Sequence, residues 1–201
     1  MNVASRSFRQ EVPLRPAIAS DATAAAFIDH DPLHALVENI VDACLGPVDA
    51  VPASVAQALE RAAWIEQRLG TLPRPPTGAA AGYTRHVLHG DPQGRFTVVA
   101  ILWEPQQFSP VHAHHTWCAY HVLCGTLNEK HYSWDASTGR ATYTRTVTRL
   151  PGDSCAAHAG LEQIHSLGNP GDVPAISVHV YGIDFDRIAT HVNRMVTAPP
   201  H

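Results

Sequence analysis

His112 and His114 stand two residues apart in PVHAHHTWCAYHVLCG, the stretch from Pro110 to Gly125. Side chains alternate across a β-strand, so both imidazoles project from one face, which supplies half of a metal site. Cys118 follows His114 with three residues between them, and Gly125 follows Cys118 with six between them. This spacing suits a strand that runs into a tight turn and returns antiparallel, so the stretch is expected to form one hairpin. Two histidines need a third ligand, and the best candidate is His165 in GLEQIHSLGN, expected on a short strand between loops. Three neutral imidazoles suit Fe, Zn, Cu or Ni, leave the full charge on a divalent metal, and keep several coordination positions open.

Two further groups carry polar chemistry. In AISVHVYG, Ser177, His179 and Tyr181 fall at intervals of two and share a face, with Val178 and Val180 on the other. By itself such a stripe reads as the solvated side of a sheet. Arg85 in YTRHVL, with Tyr83 two residues earlier on the same face, reads by itself as a surface cation. The remaining histidines among the 14, such as His30, His34, His89, His158 and His201, are expected to be surface or capping residues. His115 falls in parity with Ala113, opposite the His112 and His114 face.

The elements that must position these groups are legible from periodicity. A first helix is expected from the Asp31 cap and Pro32, through Leu33, Leu36, Val37, Ile40, Val41 and Cys44, to a stop at Gly46. A second is expected over about Pro52 to Leu69, with Ser54 near its start, Val55, Leu59, Ala62 and Ala63 inside, and Gly70 after it. Neither carries convergent chemistry, so both are expected to pack against a β-domain. After the connector TLPRPPTGAAAG come short runs rich in Val, Ile, Thr and Tyr, separated by DPQG, ASTG, LPGD and GNPGD. Many short strands punctuated in this way indicate a mainly β barrel or sandwich, with the jelly roll of cupins a natural choice. We expect a single domain over 1–201: an arm and helices over 1–79, a barrel over 80–185 and a tail over 186–201.

Composition narrows the partners. The net charge of -4, with scattered Lys and Arg, recommends neither nucleic acid nor an anionic membrane, which leaves small solutes. No apolar run is long enough for a membrane span, and the first residues lack the apolar centre of a signal peptide, so a cytoplasmic protein is expected. The four cysteines, Cys44, Cys118, Cys124 and Cys155, are irregularly spaced and read as free thiols. Monomer and small homo-oligomer both remain open.

The Pro110–Gly125 segment resembles the first cupin motif, in which HxH is followed by three or four residues, an acidic ligand, six residues and Gly. His165 followed by Asn169 resembles the end of the second. Cys118 stands where most cupins place glutamate, and in this the chain is similar to thiol dioxygenases of the cysteine dioxygenase family. The resemblance runs over roughly residues 83–182, through YTRHVL, FTVVAILW, the HxH segment, the IH strand and SVHVYG. It implies a cupin barrel with N-terminal helices, a mononuclear Fe(2+) held by His112, His114 and His165, and no flavin or 2-oxoglutarate. It also implies that Ser177, His179 and Tyr181 lie inside the barrel, with the tyrosine hydroxyl near iron, and that Cys118 forms a thioether to Tyr181. Arg85, supported by Tyr83, would clamp a substrate carboxylate as a planar fork.

The implied reaction joins O2 to the sulfur of a small thiol carboxylate, L-cysteine giving cysteine sulfinate. Relatives that act on 3-mercaptopropionate carry glutamine at the Arg85 position, yet Trp117 resembles a residue of that branch, so the two markers conflict. Ala113 stands where family members often have Asp. Two other readings of the cupin motif remain: a non-catalytic metal-binding sensor, and a Zn or Mn isomerase that would leave Cys118 without a purpose.

Overall fold

The run Thr97–Trp103 is buried at every position, which requires cover on both faces of its sheet. The computed structural model describes residues 32–61 and 83–199 and shows where that cover comes from. Ten strands follow two helices: α1 (Pro32–Cys44), α2 (Val51–Glu60), β1 (Thr84–Gly90), β2 (Thr97–Trp103), β3 (His112–His114), β4 (Cys118–Cys124), β5 (Leu127–Asp135), β6 (Arg140–Arg149), β7 (Ser154–Ala157), β8 (Gly160–Gly168), β9 (Ala175–Tyr181) and β10 (Asn193–Met195). They form two five-stranded sheets, ordered β1-β2-β9-β4-β7 and β10-β3-β8-β5-β6. All pairings between these strands are antiparallel. Successive strands cross from one sheet to the other at β2–β3, β3–β4, β4–β5, β6–β7, β7–β8, β8–β9 and β9–β10, which is the winding of a double-stranded β-helix. The mainly β cupin barrel expected from the sequence is the fold observed.

The period of two sorts the first sheet into two cores. Val98, Ala100, Ala119, Leu123, Val178 and Val180 join Leu36, Ile40, Val55 and Leu59 of the helices. Val99, Ile101, Trp103, Cys118, Tyr120, Val122 and Tyr181 face the barrel interior with Leu127 and Leu167 of the other sheet. The helices thus cover the outer face of the sheet that carries the polar stripe, and packing is their visible role. Leu36 and Ile40, four residues apart, lie on one side of α1, and Val55 and Leu59 repeat the spacing in α2. Leu59 is 1% exposed, so truncating it to Ala would cost about 2–5 kcal/mol.

Ala50 caps α2 without a side-chain hydrogen bond, and Pro52 occupies its first turn, where a missing N–H costs nothing. The Asp31 cap, and Ala62, Ala63, Leu69 and Gly70 of the expected second helix, lie outside the described residues, as do the connector and the N-terminal arm. Within the stretch read as a tail, β10 pairs with β3, setting Asn193 opposite His114 and Met195 opposite His112. Among the described residues, no helix is long and apolar enough to cross a membrane.

The expected hairpin is corrected. β3 and β4 belong to different sheets, and β4 passes at Gly125 into β5, which also lies in the other sheet. Neither pair is hydrogen-bonded as a hairpin: β4 pairs with β7 and β9, and β5 with β6 and β8. Glycine serves a barrel corner as well as a tight turn, because both need a left-handed backbone, here φ 73° at Gly125. The corner has a chemical result: the strands bearing His114 and Cys118 approach one interior from opposite sheets.

Candidate metal centre

His112 and His114 alternate inward from β3, and His165 stands opposite His112 on β8. One nitrogen from each ring lies within 4.8 Å of the others, and all three residues are buried. The ring centroids are 4.7–5.1 Å apart. β8 is a nine-residue strand rather than a short one, and it begins at Gly160 with φ 119°. His115 lies outside β3 and is exposed.

The nitrogens are not equivalent. His112 Nδ1 lies 2.8 Å from Pro110 O, and His165 Nδ1 lies 2.8 Å from Glu129 Oε1. His165 Nε2 and His114 Nδ1 are buried with no hydrogen-bond partner. Each such nitrogen loses the full cost of leaving water, on the order of 1–3 kcal/mol, unless something binds it. Burial, reinforced by the neighbouring His165, pushes His112 down to about 3 and His114 well below the usual histidine range. His112 and His114 therefore offer lone pairs rather than charge at neutral pH. Three convergent, buried imidazoles, two of them with unsatisfied nitrogens, fit a divalent transition metal, and these residues can hold one.

A pocket beside the cluster is lined by Tyr83, Arg85, Trp103, Cys118, His179 and Tyr181, together with the three histidines. Arg85 donates to the Tyr83 hydroxyl at 2.8 Å, while its buried Nε has no partner. No carboxylate pairs with Arg85 among the described residues, so its charge is uncompensated beside the histidines. Ser177, His179 and Tyr181 face this interior, not solvent. Trp103 Nε1 donates to Ser177 Oγ at 2.9 Å. Ser177 Oγ lies 2.8 Å from His179 Nε2, and His179 Nδ1 lies 3.3 Å from the Tyr181 hydroxyl. With the indole N–H donating to Ser177, the serine O–H is free to donate to His179 Nε2. The ring then carries its proton on Nδ1 and donates it to Tyr181, whose own O–H can point at a pocket ligand. Burial holds His179 well below its ordinary range, consistent with a neutral ring.

Cys118 stands opposite Tyr181 in the β4–β9 register, and both are fully sequestered. Burial pushes the thiol and the phenol well above their ordinary values, so both are protonated. All four cysteines are free thiols. Trp117 is not among the residues lining the pocket. It packs with the helix-side core, and its backbone carbonyl accepts from Gly182 N at 3.0 Å. A Cβ at Gly182 would collide with its indole.

The residue that sequence reasoning missed is Glu129. It sits on β5, which pairs with the His165 strand, and is 2% exposed. Burial alone would raise its pKa, but the bonds from His131 and His165 and the charge of Arg149 outweigh this and hold it far below the carboxylate range. Its signal was a lone acidic side chain on the inward parity of LNEKHY, between Leu127 and His131. Trp103 was also missed, because it ends an apolar run whose only evident role was packing.

The sequence profile described as cysteine dioxygenase type I matches residues 79–194, more than half of the chain. The chain belongs to the cysteine dioxygenase type I family. This is a family of dioxygenases, and the three-histidine cluster of this member is compatible with metal binding. Among solved structures, the chain is similar to an uncharacterized conserved protein with a double-stranded β-helix domain from Klebsiella pneumoniae, at 24% identity over 56% of this chain and 84% of that one, with a TM-score of 0.40. It is also similar to a sugar phosphate isomerase of the cupin superfamily from Silicibacter pomeroyi, at 25% identity over 56% and 66% of the two chains, with a TM-score of 0.40. An oxalate oxidase in complex with the substrate analogue glycolate matches at 16% identity over 55% of this chain and 56% of its own, with a TM-score of 0.44. This chain therefore spans little more than half of the oxalate oxidase.

Proposed function

We propose that this family member is a non-haem Fe(2+) thiol dioxygenase that converts a small thiol carboxylate, L-cysteine by preference, to its sulfinic acid. The observation that carries the reading is the unpaired Arg85 guanidinium in the same pocket as the three histidines. A half-buried cation without a counter-ion favours an anionic ligand, and the planar fork matches a carboxylate in bidentate fashion. His112, His114 and His165 would hold the metal. When bound, it would supply a divalent charge that lowers a thiol pKa from about 8.5 and a site at which O2 can react.

The chain's own groups divide the remaining work. Arg85, steadied by the Tyr83 hydroxyl, holds the substrate carboxylate and so directs the sulfur toward the histidines. The apolar flank of Ile101, Trp103 and Leu167 keeps bulk water from the reacting atoms. The Trp103, Ser177 and His179 series orients the Tyr181 hydroxyl as a donor toward developing negative charge on oxygen. The thiol sulfur gives up four electrons and O2 accepts them, with both oxygen atoms ending on sulfur, so no separate reductant is consumed.

Reconstitution with Fe(2+) without air, followed by addition of thiol and O2, tests the reading. Expected are thiol-dependent O2 uptake and one sulfinate per O2. Metal binding without uptake would support a sensor instead, and sugar phosphate isomerisation without uptake would support an isomerase. 3-Mercaptopropionate is the alternative substrate. Trp117 favours it by resemblance, but it lies off the pocket lining, whereas Arg85 lies on it, and this supports the weight given to cysteine.

A further inference from the structure

Glu129 is placed to control one of the three histidines. Its Oε2 accepts from Arg149 Nε at 2.9 Å and Nη2 at 2.6 Å, and from the Tyr120 hydroxyl at 3.0 Å. His131 Nε2 lies 3.4 Å from the same oxygen. Oε1 is left facing His165 Nδ1 at 2.8 Å. Arg149 extends from β6 and Tyr120 from β4 of the other sheet, so the carboxylate is gripped from both walls of the barrel and cannot rotate without breaking three bonds. His112 meets only a neutral carbonyl at its Nδ1, and His114 Nδ1 has no partner. One ligand of three is therefore backed by a charge.

We propose that Glu129 is a positioning residue that fixes the tautomer of His165 and so presents the lone pair of its Nε2 to the metal. The proposal rests on the reading of the three histidines as a metal site. A carboxylate ion-paired with Arg149 can only accept at Oε1, so Nδ1 carries a ring proton, and in the neutral ring that a metal requires Nε2 is bare. The buried Nε2 without a partner is the atom this arrangement leaves open. An oriented carboxylate behind a ligating imidazole also raises the basicity of the ring.

The geometry makes the conservative substitution the damaging one. In Glu129→Gln, the three donors from Arg149 and Tyr120 select the amide oxygen, which turns the amide NH2 toward His165. A donor there makes Nδ1 the acceptor and moves the ring proton to Nε2, the nitrogen that should bind metal. Removing Glu129 and Arg149 together as Glu129→Leu/Arg149→Met takes out the charge pair with apolar groups of similar length. It leaves His165 unconstrained rather than misdirected.

The test uses the full chain, metal-free, with 15N-labelled histidine. Two-bond proton–nitrogen correlations assign the tautomer of His165, identified by the signal lost in His165→Gln. Affinity for Co(2+) is then measured by competition with a chelator. Expected are an Nδ1–H ring in the wild type, an Nε2–H ring in Glu129→Gln with Co(2+) bound about 10- to 100-fold more weakly, and a smaller loss in the double variant. A role confined to folding would lower the melting temperature of both variants but would leave the tautomer in place. An Nδ1–H ring retained in Glu129→Gln, with affinity within about twofold of wild type, overturns the proposal. A wild-type protein that binds no divalent metal overturns the metal reading and this use of Glu129 with it. Correct tautomers alongside absent dioxygenation would count against the proposed reaction alone.

Discussion

Cys118 and Tyr181 are directly opposed on β4 and β9, with both side chains turned into the barrel. Directly opposed residues of an antiparallel pair hold their Cβ atoms about 4.5–5.5 Å apart, so the two side chains are immediate neighbours. Turnover with Fe(2+) and O2 is expected to join Cys118 Sγ to a ring carbon of Tyr181, with O2 taking the two hydrogens that leave. Peptide mass spectrometry checks this: a joined pair lighter by two hydrogens is expected. Separate, unmodified peptides after many turnovers would show that Cys118 only fills space.

Arg85→Gln should act on selectivity. The amide still reaches the substrate carboxylate but loses the charge, about 1.5–3 kcal/mol, or roughly 10- to 150-fold in kcat/KM for cysteine. Turnover of 3-mercaptopropionate should fall by less. Equal losses on the two thiols would remove Arg85 as the selectivity residue.

Acid should loosen the metal-free fold before it reaches carboxylate range. His112 is pushed down to about 3 by burial first and by His165 second, and His114 and His179 are also held low by burial. Below the ordinary value near 6.5, the unfolded chain takes up protons that the folded chain refuses. Their stabilising contribution is complete above that value and drains away as pH falls toward the folded value, by about 1.4 kcal/mol per unit for each histidine. Urea midpoints at pH 7.5 and 5.5 check the sign: the lower pH should be less stable, and His179→Phe should flatten the difference.

Gly125 and Gly139 offer a matched pair. Both have positive φ, 73° and 64°. A Cβ at Gly125 would lie 2.5 Å from Ala175 Cβ and 2.7 Å from its Cα, while one at Gly139 meets nothing within 4 Å. Gly139→Ala should cost only the backbone term, about 1–2 kcal/mol, and Gly125→Ala clearly more. Thermal melts of the two measure how tight the β4–β5 corner is.

Periodicity made the barrel legible because strands alternate on a strict period: the parity of His112 and His114, and of Ser177, His179 and Tyr181, holds in three dimensions. Sheet membership was not legible. A glycine after a strand fits a hairpin and a barrel corner equally, so β3 and β4 were expected in one hairpin and lie in two sheets. The face on which the polar stripe would lie was settled by resemblance rather than pattern, since Val178 and Val180 are buried too, under the helices. Glu129 was hidden for a related reason. Its meaning depends on Arg149 and Tyr120, which are 20 and 9 residues away in the chain and become neighbours only when the sheets close.

Among the described residues, the strand that carries His112 and His114 is hydrogen-bonded only to β8 and β10, both made later in the chain. A growing polypeptide therefore has two of its three histidines in hand long before it has anything to pair them with. Loops of such length close slowly. The three-histidine cluster gains its second flank only when β10 has been made. A chain cut short before Asn193 would carry all three histidines and lack the edge that holds two of them in register.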